Sequence, residues 1–264
     1  MMNIQDALSI GDKGVISLVG AGGKTSLMYS LARELVSSGK RVLTTTTTKI
    51  FVPTREESPV TIVSKVPEEI VAKAKALLNK YPHLTVGSEY LLNRHKLNGL
   101  KVSVIEYILQ SNLFDFIIIE ADGAAGRSLK ACAPHEPVVP LFSDCVVALM
   151  GLDVVAKPLT EEWVFRSSIF SRITGLELMQ SVSESAIASA ILHDMSSIPC
   201  SRQECVKIAF LNKADNLKAL SAGEKIAELL EKMGKTIFHK IVIGELKPLP
   251  QIHQCRVVQQ ERTR

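Results

Sequence analysis

The stretch that decides the fold is Val19-Gly-Ala-Gly-Gly-Lys-Thr-Ser-Leu27 (VGAGGKTSL), set between an apolar strand-like run and a helix-like run. Upstream lies Gly14-Val-Ile-Ser-Leu-Val19, short, β-branched and apolar, the pattern of a buried strand. Downstream, Ser26 to Val36 carries apolar residues at helical spacing and stops at Ser37-Ser-Gly39. Strand, glycine-rich turn, Lys-Thr and helix together form a layout that holds phosphates. Glycines let successive backbone N–H groups converge on an anion, and the helix N-terminus adds the positive end of its dipole. The expected phosphate loop therefore comprises Gly20, Ala21, Gly22, Gly23, Lys24, Thr25 and Ser26. Lys24 would reach the β- and γ-phosphates, and the Thr25 hydroxyl would hold Mg²⁺.

The glycine spacing departs from G-x-x-x-x-G-K-[ST], which would place a glycine at Leu18. Gly20 and Gly22 also begin a G-x-G-x-x-G dinucleotide fingerprint, but that pattern meets Thr25 where its third glycine belongs. The next strand, Arg41-Val-Leu-Thr-Thr45, supplies no acidic residue for a ribose. A phosphate-binding P-loop is the preferred reading, with an ordinary tight turn as its main alternative.

Working outward, apolar strands recur near 60–63, 114–120, 145–150, 206–211 and 236–243, with helices at 67–78, 102–110 and 218–233. Several strands are apolar on both faces. This predicts an α/β fold: a three-layer, P-loop NTPase-like domain with a mostly parallel sheet. A single nucleotide-binding domain over 1–264 is expected, with a helical segment at 161–197 that could form a cap and a polar, fraying terminus over 254–264.

Composition narrows the function classes. The 264 residues are 46% hydrophobic, enough for a core, and the net charge of +4 is too small to argue for nucleic acid or an anionic membrane. No apolar run approaches a bilayer span, and the N-terminus lacks a signal-peptide core. Five scattered cysteines without a C-x-x-C pair fit a reducing cytoplasm.

Three further motifs carry chemistry. The strand FDFIIIEADGAAGR ends in Glu120 and Asp122, two positions apart, so both can project to one side. There one could ligate Mg²⁺ and the other orient water. Gly123, Gly126 and Arg127 make a flexible basic turn suited to sensing a γ-phosphate, and Arg127 could stabilise charge on a transferring phosphoryl group. The strand at 206–211 runs into Asn212-Lys213-Ala-Asp215, the N-K-x-D pattern in which Asp accepts from guanine N–H groups and the Lys stem packs over the base. The competing reading makes Asp215 a helix N-cap. The hydroxyl run Thr44–Thr48, followed by Lys49, could grip an oxyanion or simply line a β-prone strand. His135 and Glu136 read as structural residues of a proline-rich loop. Cys200, Cys205 and His193 are too loosely spaced for a zinc site.

VGAGGKTSL, VLTTTTTKI, IIIEADGAAGRSLKACAPHEPVVP, MGLDVVAKPLTEEWVFR and FLNKAD, in this order over 14–215, resemble the YqeC-like family of accessory proteins for selenium-dependent molybdenum hydroxylases. The chain carries Cys132 and Phe165 where that pattern has a small residue or proline and a histidine. The resemblance implies a cytoplasmic P-loop protein that binds GTP or ATP with Mg²⁺ and assists maturation of a molybdenum enzyme, its client. Lys130, His135, Glu136, Asp153 and Arg166 lie in the matching blocks without an assigned role. A small-molecule kinase or ATP-dependent ligase, and a non-hydrolysing nucleotide-responsive binding protein, remain the alternatives.

Overall fold

A computed structural model describes residues 2–199 and 205–258. Among the described residues the central sheet contains nine strands: β1 (Gly14–Gly20), β2 (Val42–Thr46), β3 (Thr61–Val63), β4 (His83–Gly87), β5 (Phe116–Glu120), β6 (Cys145–Gly151), β7 (Val206–Asn212), β8 (Lys240–Glu245) and β9 (Gln251–Val257). Their spatial order is β9-β8-β7-β6-β1-β5-β2-β4-β3. Every pairing is parallel except the one between β8 and β9. The polar run from 254, expected to fray, is therefore ordered as far as Val257 by pairing with β8.

Among the described residues seven α-helices complete the layers: α1 (Ile4–Leu8), α2 (Lys24–Ser37), α3 (Pro67–Leu77), α4 (Val102–Gln110), α5 (Ser167–Thr174), α6 (Glu184–Ser196) and α7 (Leu217–Met233). Alternation along the strands sorts the core into two slabs. Ile16, Leu18, Ile118 and Val147 pack with Leu8 of α1 and Leu27, Leu31 and Leu35 of α2. Val15, Val19, Ile117 and Ile119 face the other way, in the slab that holds Ile70, Ile105, Phe170, Ile187 and Ile226 of α3 to α7. A mostly parallel sheet covered on both faces is the three-layer α/β architecture expected from the sequence. Within 161–197, α5 and α6 contribute Phe170, Ile187 and Ile191 to this second slab.

Two local features were not anticipated. HLTVG at 83–87 is a fully buried inner strand. Lys49–Phe51, Glu89–Leu91 and Lys96–Asn98 form a separate three-stranded sheet in the order 49–51, 96–98, 89–91. The parallel strands direct their C-terminal ends to one edge, and β1 lies where the connections diverge, with β5 on one side and β6 on the other. Such a switch point opens a crevice at the carboxyl edge of the sheet. Among the described residues, no helix is long and apolar enough to cross a membrane.

Candidate functional site

The crevice above β1 is a cleft of about 810 Å³, lined by residues 22–26 of the glycine turn and by Glu120, Arg127, Asn212, Lys213, Asp215 and Lys247, among others. Its floor is built by glycines that no other residue can replace without movement. A Cβ on Gly22 would lie 2.4 Å from the Gly151 nitrogen, and one on Gly23 would lie 2.3 Å from Asn212 Nδ2. Both have positive φ, 72° and 141°.

The amides of this turn divide into two groups. Gly20 N–H donates to Asp122 Oδ2 at 2.9 Å, Ala21 N–H to the Leu149 carbonyl at 2.9 Å, and Gly22 N–H to the Arg127 carbonyl at 3.0 Å. These three bonds shape the loop, so the expectation that Gly20, Ala21 and Gly22 offer amides to an anion narrows. The first intrahelical bond of α2 runs from Leu27 N–H to the Gly23 carbonyl at 2.8 Å. The amides of Gly23, Lys24, Thr25 and Ser26 meet no acceptor among the described residues, and no side chain caps the helix. Four orphan donors at a 14-residue helix start make an anion seat open to the cleft.

Glu120 and Asp122 both reach this loop, but they do different things. Thr25 Oγ1 donates to Glu120 Oε2 at 2.8 Å. Burial raises the Glu120 pKa, a shift opposed by Lys24 and the Thr25 hydroxyl. A hydroxyl and a buried carboxylate beside an anion seat form the oxygen set that a hard divalent cation takes. Asp122 is instead ion-paired with two lysines. Its Oδ1 lies 2.8 Å from Lys24 Nζ and its Oδ2 lies 2.9 Å from Lys130 Nζ, with all three side chains buried. Lys24 Nζ also donates to the Gly20 carbonyl. Asp122 therefore secures lysines, and of the three expected metal ligands Thr25 and Glu120 are the two that line the cleft.

The lysine pairing extends away from the cleft. Lys130 Nζ donates to Glu136 Oε2 at 2.7 Å, and Arg166 grips Glu136 with two bonds of 2.6 and 2.9 Å. Burial alone would raise the Glu136 pKa, but Arg166 and Lys130 hold it down at about 2. Both Glu136 oxygens are thus engaged by cationic side chains, and no cluster of three or more His, Cys, Asp or Glu side chains suited to a metal occurs among the described residues. Cys200, part of the dismissed zinc triplet, lies outside the described residues. Half-buried Cys132 has its thiol pKa pushed well up by desolvation.

Arg127 lines the cleft with its guanidinium bound to the Glu161 and Ala125 carbonyls at 2.7 and 3.2 Å. On the other flank, Asn212 Nδ2 donates to the Gly22 carbonyl at 2.6 Å, tying the N-K-x-D segment to the glycine turn, while its buried Oδ1 has no partner among the described residues. Lys213 Nζ is held by Asp153 and Ser128, each at 2.7 Å, which stretches its stem along the cleft wall. Asp215 is exposed at the cleft, and the cap of α7 is Asn216, whose side chain accepts from Ala219 N–H at 3.0 Å. The N-cap reading of Asp215 therefore falls.

The threonine run does not meet the cleft as a grip. Thr44 bonds His83 and Thr85, Thr45 donates to the Val86 carbonyl, and Thr46 donates to the Glu120 carbonyl. β2 lies between β5 and β4, so these hydroxyls are buried and find acceptors in neighbouring strands.

A match to the YqeC protein family spans residues 16–168 and so takes in the glycine turn, Glu120, Asp122 and Arg127. The chain belongs to the YqeC family. It is 34% identical over 245 residues, covering 90% of each chain, to a protein of Escherichia coli (strain K12) named YqeC and described as uncharacterized. The N-K-x-D segment lies beyond the family match. In this YqeC-family chain the matched blocks also include Lys130, Glu136 and Arg166, whose pairing the structure now defines. Sequence reasoning overlooked Phe51, Lys96 and Lys247 on the cleft wall. A register signal, Phe51 opposite Lys96, appears only once the small sheet is known.

Proposed function

We propose that this protein binds a magnesium–nucleoside triphosphate in the cleft above β1 and serves as an accessory factor in maturation of a selenium-dependent molybdenum hydroxylase. One observation carries the nucleotide reading: four consecutive acceptor-free amides open α2 beside Lys24 and the Thr25–Glu120 pair, at the head of a central parallel strand. The wall chemistry supports it. Lys24, Arg127, Lys213 and Lys247 line the nucleotide side of the cleft against three carboxylates, Glu120, Asp215 and Glu245. That excess of cations suits a polyphosphate.

The residues present fit both groups. The glycine cradle admits phosphate oxygens at the amides of Gly23 to Ser26, and Lys24 turns from Asp122 toward them while Lys130 keeps Asp122 paired. Thr25 and Glu120 would hold the Mg²⁺, which when bound neutralises phosphate charge and polarises the terminal phosphoryl group. Arg127 adds a positive charge on the same wall. Asp215 presents an acceptor for the guanine N1–H and exocyclic amine, which favours GTP over ATP. The maturation setting, with the client enzyme or its cofactor-maturation proteins as partners, comes from the resemblance of the sequence blocks to the YqeC-like accessory family; the matched relative is itself described as uncharacterized.

The test is a calorimetric titration of the full chain with GTP, ATP and CTP, with and without Mg²⁺. Magnesium-dependent binding with GTP preferred, and that preference relaxed in Asp215→Asn, agrees with the reading. Binding that ignores Mg²⁺ removes the Thr25–Glu120 assignment.

A further inference from the structure

The cleft extends past Glu120 to a wall that the proposed nucleotide does not occupy. The strand Lys49–Phe51 alternates exposed, buried, exposed, with Ile50 packed beneath in the slab that contains α2. It pairs antiparallel with Lys96–Asn98, so that Phe51 faces Lys96 and Lys49 faces Asn98 across the ladder. Lys49, Phe51 and Lys96 therefore share one face, and all three line the cleft. Phe51 is 65% exposed, unusual for a phenylalanine on a cleft wall, and Lys96 Nζ sits 4.6 Å from its ring centroid. Lys96 also exerts its charge on Glu120, which places it on the metal side of the phosphate seat.

Strand order separates this wall from the base side. Asn212 to Asp215 leave β7, two strands to one side of β1, whereas Lys49 follows β2, two strands to the other side. Four interstrand spacings amount to about 19 Å, too far for one base to use both walls. In the nucleotide reading the triphosphate would lie over β1 and α2, with the Thr25–Glu120 pair at its terminal end on the side of β5 and β2.

We propose that Lys49, Phe51 and Lys96 form a second ligand subsite for a planar heteroaromatic molecule bearing a phosphate or similar anion, bound beside the terminal phosphate. The proposal rests on the nucleotide reading for its neighbour but not for its own chemistry. An exposed ring stacks on any aromatic face, and two lysines flanking it on the same face of the small sheet neutralise an attached anion. The buried, self-satisfied threonines contribute only by holding β2 in place.

Flavin mononucleotide is the probe, titrated by fluorescence into full-length protein saturated with Mg²⁺ and the β,γ-imido analogue of GTP or ATP. Saturable quenching is expected, with riboflavin binding at least about tenfold more weakly because it lacks the phosphate. Phe51→Ala should weaken flavin mononucleotide binding about tenfold, the range of one lost stacking partner. Lys49→Ala with Lys96→Ala should erase the preference for the phosphorylated probe. Triphosphate affinity of Phe51→Ala should stay within about twofold of wild type, and its melting temperature should be unchanged because the ring is exposed. No quenching, displacement of the probe by triphosphate, or equal binding to Phe51→Ala would overturn the proposal. If the probe binds through Phe51 while no triphosphate binds, the nucleotide reading fails and the subsite stands. If triphosphate binds through Lys24 and the probe does not, the subsite alone fails.

Discussion

Replacing Gly23 with alanine tests the architecture of the phosphate seat at a single methyl group. Gly23 has φ of 141°, a conformation that L residues rarely adopt, and forcing it on alanine costs about 1–3 kcal/mol. The new Cβ would also lie 2.3 Å from Asn212 Nδ2, which donates to the Gly22 carbonyl. Asn212 must move, and its lost hydrogen bond adds about 1 kcal/mol. The combined cost is about 3 kcal/mol, a fall in Tm on the order of 6–12 °C for a chain of this size. Gly123→Ala is the matched control, since Gly123 lines the same cleft and its Cβ would meet nothing within 4 Å. Differential scanning calorimetry of wild type and both variants gives the comparison. Gly123→Ala should melt within about 2 °C of wild type. Equal melting of Gly23→Ala and Gly123→Ala would refute the close packing of Asn212 on the turn.

Other expectations follow from the buried charges. Asp122→Asn leaves Lys24 and Lys130 without their shared carboxylate and should cost about 3–5 kcal/mol, read by urea unfolding; a cost below about 1 kcal/mol contradicts the ion-pair account. His83, buried against Thr44, has its pKa lowered by desolvation to about 4, so it stays neutral in the fold over a range where the unfolded chain binds a proton. Stability associated with His83 is full above pH 6.5 and falls by about 3 kcal/mol as pH drops toward 4. His83→Gln should flatten the unfolding profile in that window, and a profile with the wild-type slope would show that His83 is not the titrating group. Asp215→Asn should reduce discrimination between GTP and ATP by about tenfold in competition binding, consistent with one lost pair of charge-assisted bonds; unchanged discrimination moves base recognition elsewhere.

The elements around the site were legible because each carries a strong local pattern. β1, the glycine turn and α2 read directly from VGAGGKTSL and its flanks, and α4 matches the expected 102–110 helix. β4 was hidden because His83 and Thr85 are polar residues in a strand buried on both faces, where they satisfy Thr44 rather than solvent. The threonine run misled for the same reason: hydroxyls at the end of an inner strand found carbonyl acceptors in β4 and β5. Within the site, Thr25 and Glu120 came together as their positions implied, whereas Asp122 was claimed by two lysines. Lys130 is eight residues away, and Arg166 reaches the network through Glu136, long-range pairings with no periodic trace in the sequence.

Isothermal titration of wild type and Lys24→Ala with GTP and ATP, each with and without Mg²⁺, bears most directly on nucleotide binding. Wild type should bind one triphosphate per chain in the presence of Mg²⁺, and loss of the ammonium should weaken that binding at least about tenfold, the range of a charge-assisted phosphate contact. Absence of binding to wild type, or undiminished affinity in Lys24→Ala, would contradict the assignment of the α2 N-terminus as the phosphate seat.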